Sequence, residues 1–83
     1  MADAFFPKEL IHDIPYITLT GNSDLHIEQH RGMISYQPDD IIFETGCGLM
    51  KITGEQLVVI RYTASEAWLH GQIDAVIMKE SGR

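Results

Sequence analysis

Eighty-three residues, with 45% hydrophobic against 22% charged side chains, suffice for one small domain with a thin core, at a size where about 60–65% of the unfolded surface is buried. Twelve acidic against six basic residues give a net charge of −6, the wrong sign for a phosphate backbone or an anionic bilayer surface, so neither nucleic-acid binding nor direct membrane insertion is expected. The one cysteine, Cys47, excludes an internal disulfide framework and points to a reducing, cytoplasmic compartment, and no segment reads as a secretory signal or an apolar span of about 18 residues.

In chain order, residues 1–6 and 80–83 read as flexible ends of a single domain spanning residues 1–83. Residues 5–14 are the one place suited to a helix: Pro7 and Glu9 come early, Leu10, Ile11 and Ile14 follow at helical spacing, and Pro15 closes the segment. A helical turn this short is marginal alone, so it is expected to cover an apolar face or an edge strand. Beyond it, turn signals recur roughly every 7–10 residues, at Gly21-Asn22-Ser23-Asp24, His30-Arg31-Gly32, Gln37-Pro38-Asp39-Asp40, Gly46-Cys47-Gly48, Gly54-Glu55, Thr63-Ala64-Ser65 and Gly71-Gln72. Between them lie residues 16–20, 25–30, 33–36, 41–45, 49–53, 57–62, 66–70 and 73–78, rich in the β-branched and aromatic residues that suit a pleated surface.

This rhythm predicts an all-β domain of about eight short antiparallel strands, in a small sandwich or a flattened barrel, with the short N-terminal helical turn. A weak echo of Leu19-Thr20-Gly21 in Ile52-Thr53-Gly54 and Leu69-His70-Gly71 supports a short β-solenoid as the alternative, although no regular period accompanies it. Alternation is clearest where Leu25 and Ile27 oppose His26 and Glu28, and where Ile73, Ala75 and Ile77 oppose Asp74. The expected core is Ile17, Leu19, Leu25, Ile27, Ile41, Phe43, Ile52, Leu57, Val59, Leu69, Ile73 and Ile77, with Tyr36 packed alongside. Residues 57–60 are apolar on both faces, as suits a central strand, a second packing contact or an oligomer seam, and Trp68 fits either face.

His26, Glu28 and His30 lie at alternate positions, which on a straight strand puts them on one face at about 6.5–7 Å per step. Two histidines and a carboxylate are credible ligands for zinc or non-haem iron, as in a small metal-binding protein or a cupin-like metalloenzyme. The outer two would stand about 13 Å apart, however, so a shared ion requires a bent strand, and a solvated face with cross-strand pairing is the plainer reading. Cys47 sits between Gly46 and Gly48 in an exposed turn with no base or oxyanion device in the sequence to activate it. Phosphate loops, zinc-knuckle pairs and nucleophile elbows are absent, so no catalytic residue and no cofactor is expected.

The run from Pro15 to Gly32, ending in Ile27-Glu28-Gln29-His30-Arg31-Gly32, together with Ile41-Ile42-Phe43-Glu44-Thr45, the segment from Leu49 to Leu57 and Leu69-His70-Gly71-Gln72-Ile73, resembles the YabP/YqfC family of sporulation proteins, closest to its YqfC branch. The resemblance covers residues 7–79, with Gln29 standing where asparagine is common in the family. It implies a non-enzymatic protein, a small β binding and assembly module of the mother-cell cytoplasm, acting near the forespore envelope in cortex or coat formation. A membrane-bound sporulation protein is the implied partner, and exposed edge strands make a homodimer a second expectation. The family-motif positions Glu28, His30, Arg31 and Gly32 are the interaction candidates. As a structural corner they would form charge-assisted bonds, with Gly32 as the left-handed residue and Gly32→Ala more damaging than His30→Ala.

Overall fold

The structure, a computed structural model, describes residues 14–80. Six strands, β1 (Tyr16–Thr20), β2 (Asp24–Glu28), β3 (His30–Gln37), β4 (Asp40–Thr45), β5 (Gly48–Tyr62) and β6 (Glu66–Lys79), form one open antiparallel sheet in the order β1-β2-β6-β5-β4-β3. Six strands replace the eight expected because Gly54-Glu55 and Gly71-Gln72 are not turns. Each is a bend inside a continuous strand, so residues 49–53 and 57–62 both belong to β5, and residues 66–70 and 73–78 both belong to β6. All five strand pairings are antiparallel, which excludes the stacked coils of a solenoid, and the sheet is neither a two-sheet sandwich nor a closed barrel. No helix occurs among the described residues; the helical turn expected over residues 5–14 lies outside them except for Ile14, as do residues 1–6 and 81–83 of the expected flexible ends.

The bend divides the sheet into two halves that share the long β5–β6 hairpin. On one side β2 pairs with β6 from Asp24↔His70 to Glu28↔Glu66, and that stretch of β6 pairs with the second part of β5. On the other side β4 pairs with the first part of β5, from Asp40↔Thr53 to Thr45↔Gly48, and β3 lies outside β4. Register shifts between Thr53 and Gly54 and between Glu55 and Val58 mark the bend, where Gln56 takes φ 54°. Two glycines allow the backbones to touch there: a Cβ on Gly54 would overlap the Gln72 carbonyl oxygen, and one on Gly71 would come within 2.6 Å of the Gln56 carbonyl oxygen. The β3–β4 turn locks the bend from below, with Gly54 N–H donating to Asp39 O at 3.1 Å and Leu57 N–H to Pro38 O at 2.8 Å.

Both halves supply one core of Leu25, Ile27, Ile41, Phe43, Met50, Ile52, Leu57, Ala67, Leu69 and Ile73, with Met33, Val59 and Val76 packed against it. Three residues expected there are exposed. Ile17 and Leu19 do sit opposite Ile27 and Leu25, but β1 ends the sheet and both stay partly open to solvent. Ile77 fails for a different reason: the ladder passes from Thr53↔Ala75 to Gly54↔Ile73, skipping Asp74, so Val76 aligns with buried Ile52 and Ile77 aligns with Lys51 on the outer face. A one-residue shift inverts every side chain beyond it. Tyr36 is also exposed rather than packed inside, and its hydroxyl accepts the Val59 N–H at 3.1 Å.

Phe43 is fully buried, so Phe43→Ala is expected to lower unfolding free energy by about 3–5 kcal/mol. Gly54→Ala is expected to cost about 3 kcal/mol or more, because the crossing strands must separate. Denaturant titration measures both, and a Gly54→Ala loss under 1 kcal/mol, on the order of an ordinary surface change, would show that the crossing yields.

Candidate functional site

The family-like motif forms the corner between β2 and β3. Strand β2 ends at Glu28, Gln29 takes φ 70°, and β3 begins at His30. One left-handed residue breaks the alternation, so His26 and Glu28 stay on the outer face and His30 turns inward, 3% exposed. The three side chains expected on one face are thereby divided between two. Gln29 N–H and His30 N–H both donate to Ser65 O, at 2.7 and 3.1 Å, which fixes the corner on the β5–β6 turn.

His30 completes that clasp. Its Nε2 lies 3.1 Å from Thr63 O and 3.2 Å from Glu66 O. Carbonyl oxygens only accept, so Nε2 carries the proton and donates to both. The ring packs against Tyr62 (5.1 Å, 25°) and Phe43 (5.2 Å, 52°), while Nδ1 is buried without a hydrogen-bond partner. Thr63 Oγ1 accepts the Glu66 N–H at 2.9 Å and so tightens the turn that His30 holds. Gly32 has φ 142°, a second backbone position rarely taken by side-chain-bearing residues, although a Cβ there would meet no atom within 4 Å. Arg31 lies on the exposed side of the corner.

On the outer face the register aligns Thr18, His26, Trp68 and Arg61 across β1, β2, β6 and β5. His26 stacks on Trp68 with ring centroids 4.5 Å apart and planes 13° from parallel, and Arg61 Cζ stands 4.8 Å from the Trp68 ring. Trp68 therefore faces outward, half-buried between an imidazole and a guanidinium. Carboxylates rim the row: His26 Nε2 is 3.0 Å from Glu66 Oε1, and His26 Nδ1 is 3.9 Å from Glu28 Oε2. Beside it, His70 Nδ1 meets Asp24 Oδ1 at 2.9 Å, and this hydrogen bond, aided by Ser23 Oγ, holds the Asp24 carboxyl below the usual carboxylate range.

Among the described residues no three histidine, cysteine or carboxylate side chains converge as metal ligands, and the inward turn of His30 is the reason for the trio read from sequence. Cys47 is exposed in the β4–β5 turn, where it lines an apolar groove with Ile14, Pro15, Ile17, Met78, Lys79 and Glu80. The Arg61–Trp68–His26 row was not visible in the sequence. Trp68 was a signal, but its neighbours depend on a register shift between Val59 and Arg61.

The YabP family model matches residues 12–83, which include every strand and the whole corner. The chain belongs to the YabP family. It is 31% identical over 75 residues to the uncharacterized protein YqfC of Bacillus subtilis (strain 168), an alignment covering 90% of this chain and 81% of that protein. The left-handed conformation of Gln29 is one that asparagine adopts more readily than glutamine. No helix among the described residues is long and apolar enough to cross a membrane.

Burial reverses the order of damage expected from sequence. His30→Ala is expected to cost about 2–4 kcal/mol, because it opens a cavity beside Phe43 and removes the Nε2–H donor that the Thr63 and Glu66 carbonyls share, against about 1 kcal/mol for Gly32→Ala. Equal midpoints for the two variants in urea would contradict the clasp. Gln29→Asn is expected to raise stability by about 0.5–1 kcal/mol by relieving the left-handed backbone, and a lowered melting temperature would count against that account.

Proposed function

We propose that this chain is a non-enzymatic sporulation protein, a β binding and assembly module that works in the mother-cell cytoplasm near the developing forespore envelope, in cortex or coat formation. Its partner on this reading is a membrane-bound sporulation protein. Membership of the YabP family supports the process, and the outer-face row of Arg61, Trp68 and His26 supports binding as the molecular act. Tryptophan and arginine concentrate binding energy at protein interfaces because they offer large, preorganised contact area with a polar handle. The family-motif corner contributes differently: His30 Nε2 is engaged with the β5–β6 turn, so the corner holds β6, and with it Trp68, in place.

The test is genetic and physical together. In a spore-forming bacterium that carries this chain in place of its own family member, Arg61→Ala and Trp68→Ala are expected to reduce heat-resistant spores while the purified variants stay folded. Loss of a central contact residue typically costs about 2 kcal/mol or more, roughly thirtyfold in affinity, which a pull-down of the membrane fraction from sporulating cells would register. Normal spore yield from both variants would remove the outer face from the function.

A further inference from the structure

Among the described residues, four stretches of strand lack a neighbour on one side: β1, β3, the second part of β5 and the second part of β6. Three of them are guarded. β3 is interrupted by two register shifts, and its Met33 N–H donates to the Tyr62 hydroxyl at 3.2 Å. In β5 the Val59 N–H is taken by Tyr36, so two tyrosines cap the facing edges reciprocally. The free part of β6 opens with Gly71 and Ile73 N–H groups already donated to Ser23 O and Asn22 O, and it carries Asp74 and Lys79. Charges, irregular register and capping side chains are the ordinary means of blunting an edge.

β1 has none of them. Tyr16-Ile17-Thr18-Leu19-Thr20 holds no charge and no proline, pairs with β2 in unbroken register, and is exposed at all five positions. Ile17 and Leu19 lie on the core side, opposite Ile27 and Leu25, yet are 36% and 48% exposed. We infer that β1 is a self-pairing edge, which joins two copies of this chain antiparallel about a two-fold axis at Thr18. In that register Ile17 faces Leu19 of the partner subunit, and Tyr16 faces Thr20 of the partner subunit, so the strand is complementary to itself. Each core-side apolar residue then covers its counterpart.

The register is specific. Slipping by one residue would set the core side of one copy against the outer side of the other, and slipping by two would leave fewer of the five residues paired. Two copies each carrying −6 repel at long range, and an uncharged strand is the contact that adds no like-charge pair of its own. The inference rests on strand geometry and stands apart from the proposed function; a dimer built this way leaves the Arg61–Trp68–His26 row on the outer face of each half.

Sedimentation equilibrium of the full chain is expected to give twice the chain mass, with association strengthened by added salt, which screens the repulsion. Leu19→Lys is expected to give the mass of one chain with an unchanged far-UV spectrum, because Leu19 is half exposed in the folded chain, whereas Ile34→Lys on β3 is expected to remain dimeric. In a Cys47→Ser background, Thr18→Cys is expected to cross-link two copies on oxidation. The axis brings the two substituted Cα atoms to about 4.5–5.5 Å in either hydrogen-bonding phase, within disulfide reach. A parent chain that sediments at its own mass would overturn the inference. So would a dimer that survives Leu19→Lys and is lost in Ile34→Lys, or cross-linking through Thr20→Cys in preference to Thr18→Cys.

Discussion

Everything in this molecule depends on the contact between two backbones at the middle of the β5–β6 hairpin. Gly54 lies against the Gln72 carbonyl and Gly71 against Gln56 and Leu57, so that two long strands bend together without parting. A flat six-stranded sheet of this composition would expose one apolar face along its whole length. The bend turns that face on itself, and Leu25, Ile27, Ala67 and Leu69 from one half meet Ile41, Phe43, Met50 and Ile52 from the other. A single sheet thus supplies both layers of a core, which is how so short a chain buries ten apolar side chains among its described residues.

Bending creates free edges, and the chain treats them unequally. Tyr36 and Tyr62 reach across from the two edges that approach one another and take a backbone donor each, while the β1–β2 turn takes two donors from β6. Only about half of each tyrosine ring need be buried for this, since the hydroxyl carries the directional contact and the ring shields the strand. β1 is left as a regular, uncharged edge beside exposed Ile17 and Leu19. In an acidic protein that combination is the feature most in need of a partner strand.

The β2–β3 corner links the local backbone to the surface proposed for binding. A left-handed Gln29 turns His30 inward, His30 holds the carbonyls of Thr63 and Glu66, and the turn so held sets where β6 begins. Trp68 follows two residues after Glu66 and takes its place between His26 and Arg61. Glu28 and Arg31 flank this clasp on the solvent side. The motif's chemistry is therefore divided, with an imidazole that fixes geometry and charged neighbours that face outward.

Period-two alternation and β-branched composition were enough to place the strands as elements, to name Leu25, Ile27, Phe43 and Ile52 as core, and to mark the Glu28-Gln29-His30-Arg31-Gly32 corner as the family-like motif, because each of these is written within a few neighbouring residues. Eight strands became six because a glycine that ends a strand and a glycine that lets two strands cross look alike in sequence; which one it is depends on the backbone lying opposite. The same non-local cause moved Ile77 outward, when β6 skipped Asp74 against β5, and turned His30 inward, when a residue without glycine's freedom took a left-handed conformation to reach Ser65. Local pattern decided what each segment would be. Which side each residue faced, and which residues stood together as Arg61, Trp68 and His26 do, was decided by register between strands far apart in the chain, where a slip of one residue reverses a face and leaves no trace in the sequence of either strand.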